Sequence, residues 1–123
     1  MAPLPNLADE LDLRDAEALV KTLPYAGPFK RIGSNQLPAA EVASLQRARL
    51  AVSMAEALRT KGSLPAVIVQ DVLTLAGVSR RAFYEHFRSK RACFLYAYRL
   101  TEAKRLGRPK HREHQAHRAQ RAA

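Results

Sequence analysis

The sequence lacks the cysteines that build disulfides and thiolate metal sites, and it lacks the long apolar runs that build membrane spans. Its 123 residues include one cysteine, Cys93, and no tryptophan. A single cysteine excludes an internal disulfide, a zinc finger with thiolate ligands and CxxC redox chemistry. No apolar run approaches the ~20 residues that a membrane-spanning helix needs, and the N-terminus lacks the basic and apolar segments of a secretory signal. We therefore expect a reducing, cytoplasmic compartment and no membrane contact.

Acidic residues are scarce in the second half of the chain, and this makes the charge one-sided. The chain has 21 Lys and Arg against 11 Asp and Glu, for a formal net charge of +10. Residues 1–30 carry a net charge of −2, residues 31–76 carry +2 and residues 77–123 carry +10. A basic block of this kind favours polyanion binding, because each cation docked on a phosphate releases condensed counterions. A solvated basic surface with no specific partner is the alternative.

Apolar residues at intervals of three and four predict an all-α chain, and no strand-like alternation is present. Helices are expected over residues 38–61, 66–76, 80–87 and 90–106, with a shorter acidic helix within residues 6–21. Proline and glycine between residues 23 and 38 are typical of a linker or arm. The resulting division is an extension or arm at 1–37, a folded domain at 38–106, and a basic tail at 107–123 that we expect to be disordered.

The most informative segment joins two short predicted helices through Gly77-Val78-Ser79. Two short helices around a glycine-containing turn are typical of a helix-turn-helix. Phe83 and Phe87 are four residues apart, so we expect them on one buried face. The opposite face then carries arginines at the start of a short helix, where recognition helices contact base edges in the major groove.

Residues 76–90, with the sequence AGVSRRAFYEHFRSK, resemble the helix-turn-helix of the TetR family of bacterial transcriptional regulators. The resemblance extends over about residues 38–100, since Gln46-Arg47-Ala48-Arg49-Leu50 is similar to that family's first helix. It implies a homeodomain-like domain of three helices plus the start of a fourth. It also implies a sequence-specific regulator of the repressor type, with double-stranded DNA as its partner and no enzymatic activity.

Carried over residue by residue, the resemblance gives a set of DNA contacts. Arg80 and Arg81 would read bases or contact the groove edge. Tyr84 and His86 would contact the phosphate backbone, and Lys90 would add a phosphate contact at the start of the fourth helix. Helix N-termini favour that last position independently. Ser79 caps the recognition helix and completes the set.

The sequence departs from the family at positions that affect DNA binding. Leu73 stands where a smaller residue is usual, Ile68 replaces a threonine that donates to a phosphate, and Ala82 replaces another threonine. Binding should therefore depend more on arginines and be more sensitive to salt.

Weaker DNA signals lie outside the motif. Lys30 and Arg31 on the arm are candidates for minor-groove contacts of the kind that N-terminal arms make. Arg108, within Gly107-Arg108-Pro109, is similar to the core of an AT-hook, although a helix C-terminus explains the same residues. The tail histidines lack the surrounding structure that a metal site needs, so neither a metal nor another cofactor is predicted. No catalytic pattern is present.

Typical members of the family continue for well over a hundred residues that bind a small ligand and dimerise. Here 17 residues follow the fourth helix, so we expect no ligand pocket. Three interpretations remain open: a reduced DNA-binding regulator, a truncated or frame-shifted remnant that binds DNA without specificity, and a partner-binding module. In the last, the apolar face of the fourth helix would bind a second copy or a full-length relative through Leu95, Tyr96, Leu100, Ala103 and Leu106.

Overall fold

The computed structural model describes residues 13–31 and 37–106, and every regular element within them is helical. Helix α1 covers residues 13–20, and α2 spans Ala39–Lys61. A 3-10 turn at Leu64–Ala66 precedes α3 at Val69–Ala76, α4 at Arg80–His86 and α5 at Lys90–Leu106. The predicted all-α fold is confirmed for these residues. The expectations for Arg108, the tail histidines and the first turns of the acidic helix lie outside the described residues.

Helix α2 is the central element, and its ends follow the sequence signals. It begins after Pro38 and ends just before Gly62. Gly62 has a φ of 97°, a conformation that glycine adopts at low energetic cost. Its C-terminal half is buried against α3 and α5. No helix among the described residues is long and apolar enough to cross a bilayer.

Aromatic packing joins α4 and α5 to this core. Phe83 is fully buried and Phe87 nearly so, which confirms their predicted position on one face of α4. The Phe83 and Phe87 rings lie 5.8 Å apart between centroids, and Phe87 contacts the ring of Tyr96 at 5.4 Å. Leu73 is also buried, so the core accommodates the larger side chain at that position.

The start of α3 differs from the prediction. The apolar run from residue 66 predicted a helix throughout, but the chain forms a 3-10 turn at Leu64–Ala66 and is extended at Ile68. Pro65 fits the first turn of a helix, and Asp71 accepts a hydrogen bond from the Ile68 N–H at 3.0 Å. Helix α3 therefore begins at Val69.

Helix α1 is part of the same core, in contrast to the predicted domain start at residue 38. Its residues Ala16 and Val20 are buried, together with Leu23 beyond its end. Glu17, which is also buried, accepts a hydrogen bond from the Leu64 N–H at 2.9 Å. The folded unit thus includes residues that composition alone assigned to an extension.

Residues 24–31, here called the strap, run across the turn between α3 and α4. The Tyr25 hydroxyl donates to the Leu75 carbonyl at 2.7 Å, and the Phe29 N–H donates to the same carbonyl at 3.4 Å. The Arg49 guanidinium lies 4.8 Å from the centre of the Phe29 ring and donates to the Lys30 carbonyl. The segment interpreted as a linker or arm is therefore packed against the domain over residues 24–31.

The strap approaches the turn at Gly77, where a side chain has no room. Gly77 has a φ of 66° and ends α3 in the left-handed conformation. A Cβ atom at this position would lie 2.3 Å from the Phe29 carbonyl oxygen. Both the backbone conformation and the contact therefore require glycine.

Gly77→Ala should lower the free energy of unfolding more than Gly62→Ala does. Each substitution places a Cβ on a residue with positive φ, a strain of about 1–3 kcal/mol. Only Gly77→Ala adds a clash, because no atom lies within 4 Å of the Cβ position at Gly62. Urea unfolding of both variants measures the difference, and equal losses would contradict the close packing of the strap.

Candidate nucleic-acid interface

The recognition helix α4 is fixed from one side and exposed on the other. Ser79 caps it, since its Oγ accepts a hydrogen bond from the Ala82 N–H at 3.1 Å. Because Phe83 and Phe87 hold the inner face in the core, the outer face is left to Arg80, Arg81 and Tyr84. Tyr84 is 48% exposed, unusually high for an aromatic side chain of this size.

The two arginines of α4 lie in different surroundings. Arg80 donates from Nη2 to Gln70 Oε1 at 3.0 Å, and Gln70 in turn donates to Thr74 Oγ1 at 3.1 Å. Arg81 has a side chain 90% exposed, and its Nε lies 3.5 Å from Glu85 Oε2. An exposed ion pair of this kind contributes at most about 1 kcal/mol, so Arg81 can leave it for another partner. Arg80 is thus tied to α3, whereas Arg81 projects into solvent.

His86 faces α2 and is partly buried. Its Nε2 lies 2.8 Å from Gln46 Oε1, and its Nδ1 lies 3.5 Å from Arg47 Nη1. An amide oxygen accepts and a guanidinium donates, so these partners assign the proton to Nε2 and leave Nδ1 as acceptor. Burial lowers the pKa of His86, and the neighbouring Arg47 lowers it further. The phosphate contact of His86 stays a prediction. A phosphate would have to compete with Gln46 and Arg47 for the ring.

Lys90 supports the loop before α3. Its Nζ donates to the Leu64 carbonyl at 3.0 Å and to the Val67 carbonyl at 2.8 Å. An ammonium has three donors, so one remains for the phosphate contact predicted from the sequence. This structural role could not be predicted from the sequence, since the acceptors are backbone atoms distant along the chain.

Arg31 of the strap and Arg80 of α4 line the same cleft. The cleft has a volume of about 360 Å³ and lies beside the turn between α3 and α4. Thr74 and Ser79 contribute hydroxyl groups to its wall. The structure therefore brings one predicted arm residue next to the recognition helix, while the exposed side chain of Lys30 is not among the lining residues.

Metal and thiol chemistry find no support in the part of the chain that is described. No group of three His, Cys, Asp or Glu residues there could hold a metal ion. Cys93 is fully buried, and burial raises the pKa of its thiol to about 12. The thiol is therefore protonated at neutral pH and unreactive.

The apolar face of α5 is partly covered by the core. Leu95, Tyr96 and Leu100 pack in part against the core, and Ala103 is exposed. The side chain of Leu106 lies outside the described residues. A helical face that is already partly covered offers less surface to a partner.

Comparison with known proteins gives a family match within this region. Residues 52–97 match the family described as bacterial regulatory proteins, tetR family. The matched span runs from the middle of α2 into α5 and includes all of α3 and α4. Searches of curated proteins and of solved structures gave no match.

Lys90→Ala should lower the free energy of unfolding by about 1–3 kcal/mol, because two carbonyls lose a charged donor. Lys104→Ala is the matched control, since Lys104 is exposed near the end of the same helix. Its effect should stay within about 0.5 kcal/mol. Chemical unfolding measures both, and equal stabilities would contradict the bonds to the loop.

His86 should make the stability of the fold depend on pH. Its pKa is lowered in the folded state, so between that value and the unfolded value of about 6.5 the unfolded chain binds more protons. The stability contribution is present above about pH 6.5 and is lost as the pH falls through the folded pKa. Thermal unfolding from pH 7.5 to 5 should show a steeper loss for the wild type than for His86→Gln. Parallel profiles would contradict the buried, neutral ring.

Proposed function

We propose that the protein is a sequence-specific regulator that reads the major groove with α4, and the match of residues 52–97 to the tetR family supports this. Domains of this family bind DNA and belong to transcription regulators rather than enzymes. The proposal goes beyond these family properties in two respects, which are sequence specificity and repression. A repressor would act by occupying a promoter on the chromosome. The proposal therefore includes a cytoplasmic location for the protein.

The observation that carries the proposal is the outer face of α4. Arg81 is 90% exposed in its side chain, at the second position of a helix whose inner face is fixed by Phe83. The major groove is about 12 Å wide and admits a helix, and an arginine there can donate two hydrogen bonds to guanine. The N-terminal residues of a recognition helix are those that reach base edges. Arg81 is therefore the best placed base reader.

Phosphate contacts fix the position of such a helix on the duplex. Tyr84 is exposed on the same helix, and we assign it a backbone contact together with Ser79, His86 and Lys90. Ile68, 57% exposed at the start of α3, has no side-chain donor for the contact that a threonine would make. DNA binding then has fewer phosphate contacts from neutral side chains, and a larger share comes from Lys and Arg. This increases the salt dependence of binding.

Binding without sequence preference is the alternative that the charge keeps open. The net charge of +10 is sufficient to retain DNA at low salt. A partner-binding module is less favoured, because much of the apolar face of α5 packs against the core. A homodimer, or a heterodimer with a full-length relative, would bind two half-sites related by symmetry.

In-vitro selection of the full chain on a random duplex pool at ~150 mM salt, close to physiological ionic strength, tests the proposal. We expect a short enriched motif. Arg81→Ala should lose about 1–3 kcal/mol of discrimination at one base pair, because a bidentate arginine contact is worth that much. Arg99→Ala is the control, since Arg99 is an exposed arginine on α5.

The outcomes separate the alternatives. An inverted repeat indicates a dimer, and a single half-site indicates a monomer. Retention that falls with salt but enriches no motif would contradict sequence reading and favour non-specific binding. An enriched motif unchanged by Arg81→Ala would contradict the role of Arg81.

A further inference from the structure

The cleft between the strap and the turn brings together two arginines from distant parts of the chain. Arg31 ends the strap and Arg80 opens α4, and both line the cleft with Thr74, Ser79 and Gln70. These side chains offer guanidinium, hydroxyl and amide donors around one space. Arginine guanidinium groups match the geometry of phosphate oxygens and bind them through paired hydrogen bonds.

Hydrogen bonds anchor the backbone next to Arg31 and the side chain of Arg80. The Lys30 carbonyl, next to Arg31 in sequence, accepts a hydrogen bond from Arg49, and the Phe29 N–H is bonded to Leu75. The guanidinium of Arg80 is held by Gln70 at 3.0 Å. A ligand entering the cleft would therefore meet an Arg80 guanidinium that is already positioned and an Arg31 side chain on an anchored backbone, which lowers the entropy cost of binding.

The cleft has positive charge and no acidic side chain to balance it. None of its lining residues is Asp or Glu. Over the described residues, the ion pairs involve neither Arg31 nor Arg80. Two like charges facing one space repel each other, and an anion between them removes that repulsion and adds two attractive contacts. An anionic ligand is the chemistry that fits.

The position of the cleft identifies the anion. Arg80 is the first residue of α4, so the cleft adjoins the end of the recognition helix that enters the major groove. The sugar–phosphate backbone borders that groove. We propose that the cleft binds one DNA phosphodiester between Arg31 and Arg80. This inference rests on the proposed function and deepens it.

This assignment gives the two arginines on α4 different roles. Arg80 and Arg31 position the protein on the backbone and read no sequence, whereas Arg81 reads a base. The strap thereby supplies a phosphate contact beside the turn between α3 and α4. The N-terminal segment acts as a fixed part of the DNA-binding surface.

Salt titration of DNA binding tests the cleft without knowledge of the target sequence. Dissociation constants are measured on a fixed duplex between 50 and 200 mM salt for the wild type, Arg31→Ala, Arg80→Ala and Arg99→Ala. Loss of one phosphate contact lowers the slope of log K against log salt by about 0.9, so the affinity loss should be about threefold larger at 50 mM than at 200 mM. We expect this from Arg31→Ala and Arg80→Ala, and no change of slope from Arg99→Ala.

A double-mutant cycle shows whether the two arginines share one phosphate. If they do, their effects should be non-additive, and one neutral methylphosphonate linkage should weaken the wild type while leaving the double variant unaffected. Arg31→Ala should also select the same motif as the wild type. Circular dichroism checks that each variant is folded.

The contradicting results are distinct from those for the proposed function. An Arg31→Ala slope equal to that of Arg99→Ala, or a changed motif with Arg31→Ala, would overturn the phosphate cleft alone. A wild type that enriches no motif overturns sequence reading, and the salt slopes still decide the cleft. A wild type that does not retain duplex DNA overturns both.

Discussion

The left-handed turn at Gly77 is the constraint on which the DNA-facing surface depends. Its N–H bonds to the Leu73 carbonyl and ends α3, so that α4 can start three residues later. The missing side chain also admits the Phe29 carbonyl, which brings the strap onto the turn. One residue thus sets the direction of the recognition helix and the position of Arg31. The motif and the N-terminal segment are therefore a single structural unit.

Charged groups from both ends of the domain meet at the loop before α3. Glu17 of α1 accepts from the Leu64 N–H, and Lys90 of α5 donates to the Leu64 carbonyl. Buried backbone groups need partners, and Glu17 supplies one for the Leu64 N–H, while Lys90 adds a charged donor to a carbonyl that also accepts from the Val67 N–H. The loop is held between opposite charges, which fixes the start of α3. The cost is that Lys90 divides its donors between the fold and the phosphate predicted for it.

Sequence periodicity predicted the helices and the buried pair Phe83 and Phe87, because both follow from local spacing. It could not predict that the strap is docked, since proline and glycine indicate irregular backbone but not where that backbone packs. The contact of His86 with Gln46 joins residues 40 apart in the chain, and spacing carries no information on it. Outward exposure of Arg80 and Arg81 was predictable, but their different surroundings depend on Gln70 of another helix.

An NMR titration of the labelled chain with a duplex carrying its selected motif tests most directly whether α4 and the strap form one DNA-binding surface. A single DNA-binding surface predicts amide shift changes at residues 79–85 that appear together with changes at residues 29–31, while residues 13–20 of α1 stay unaffected. Changes confined to residues 107–123, or changes in α4 with none in the strap, would contradict it. The first result would mean that the charge of the tail alone holds DNA, and the second that the strap only stabilises the fold.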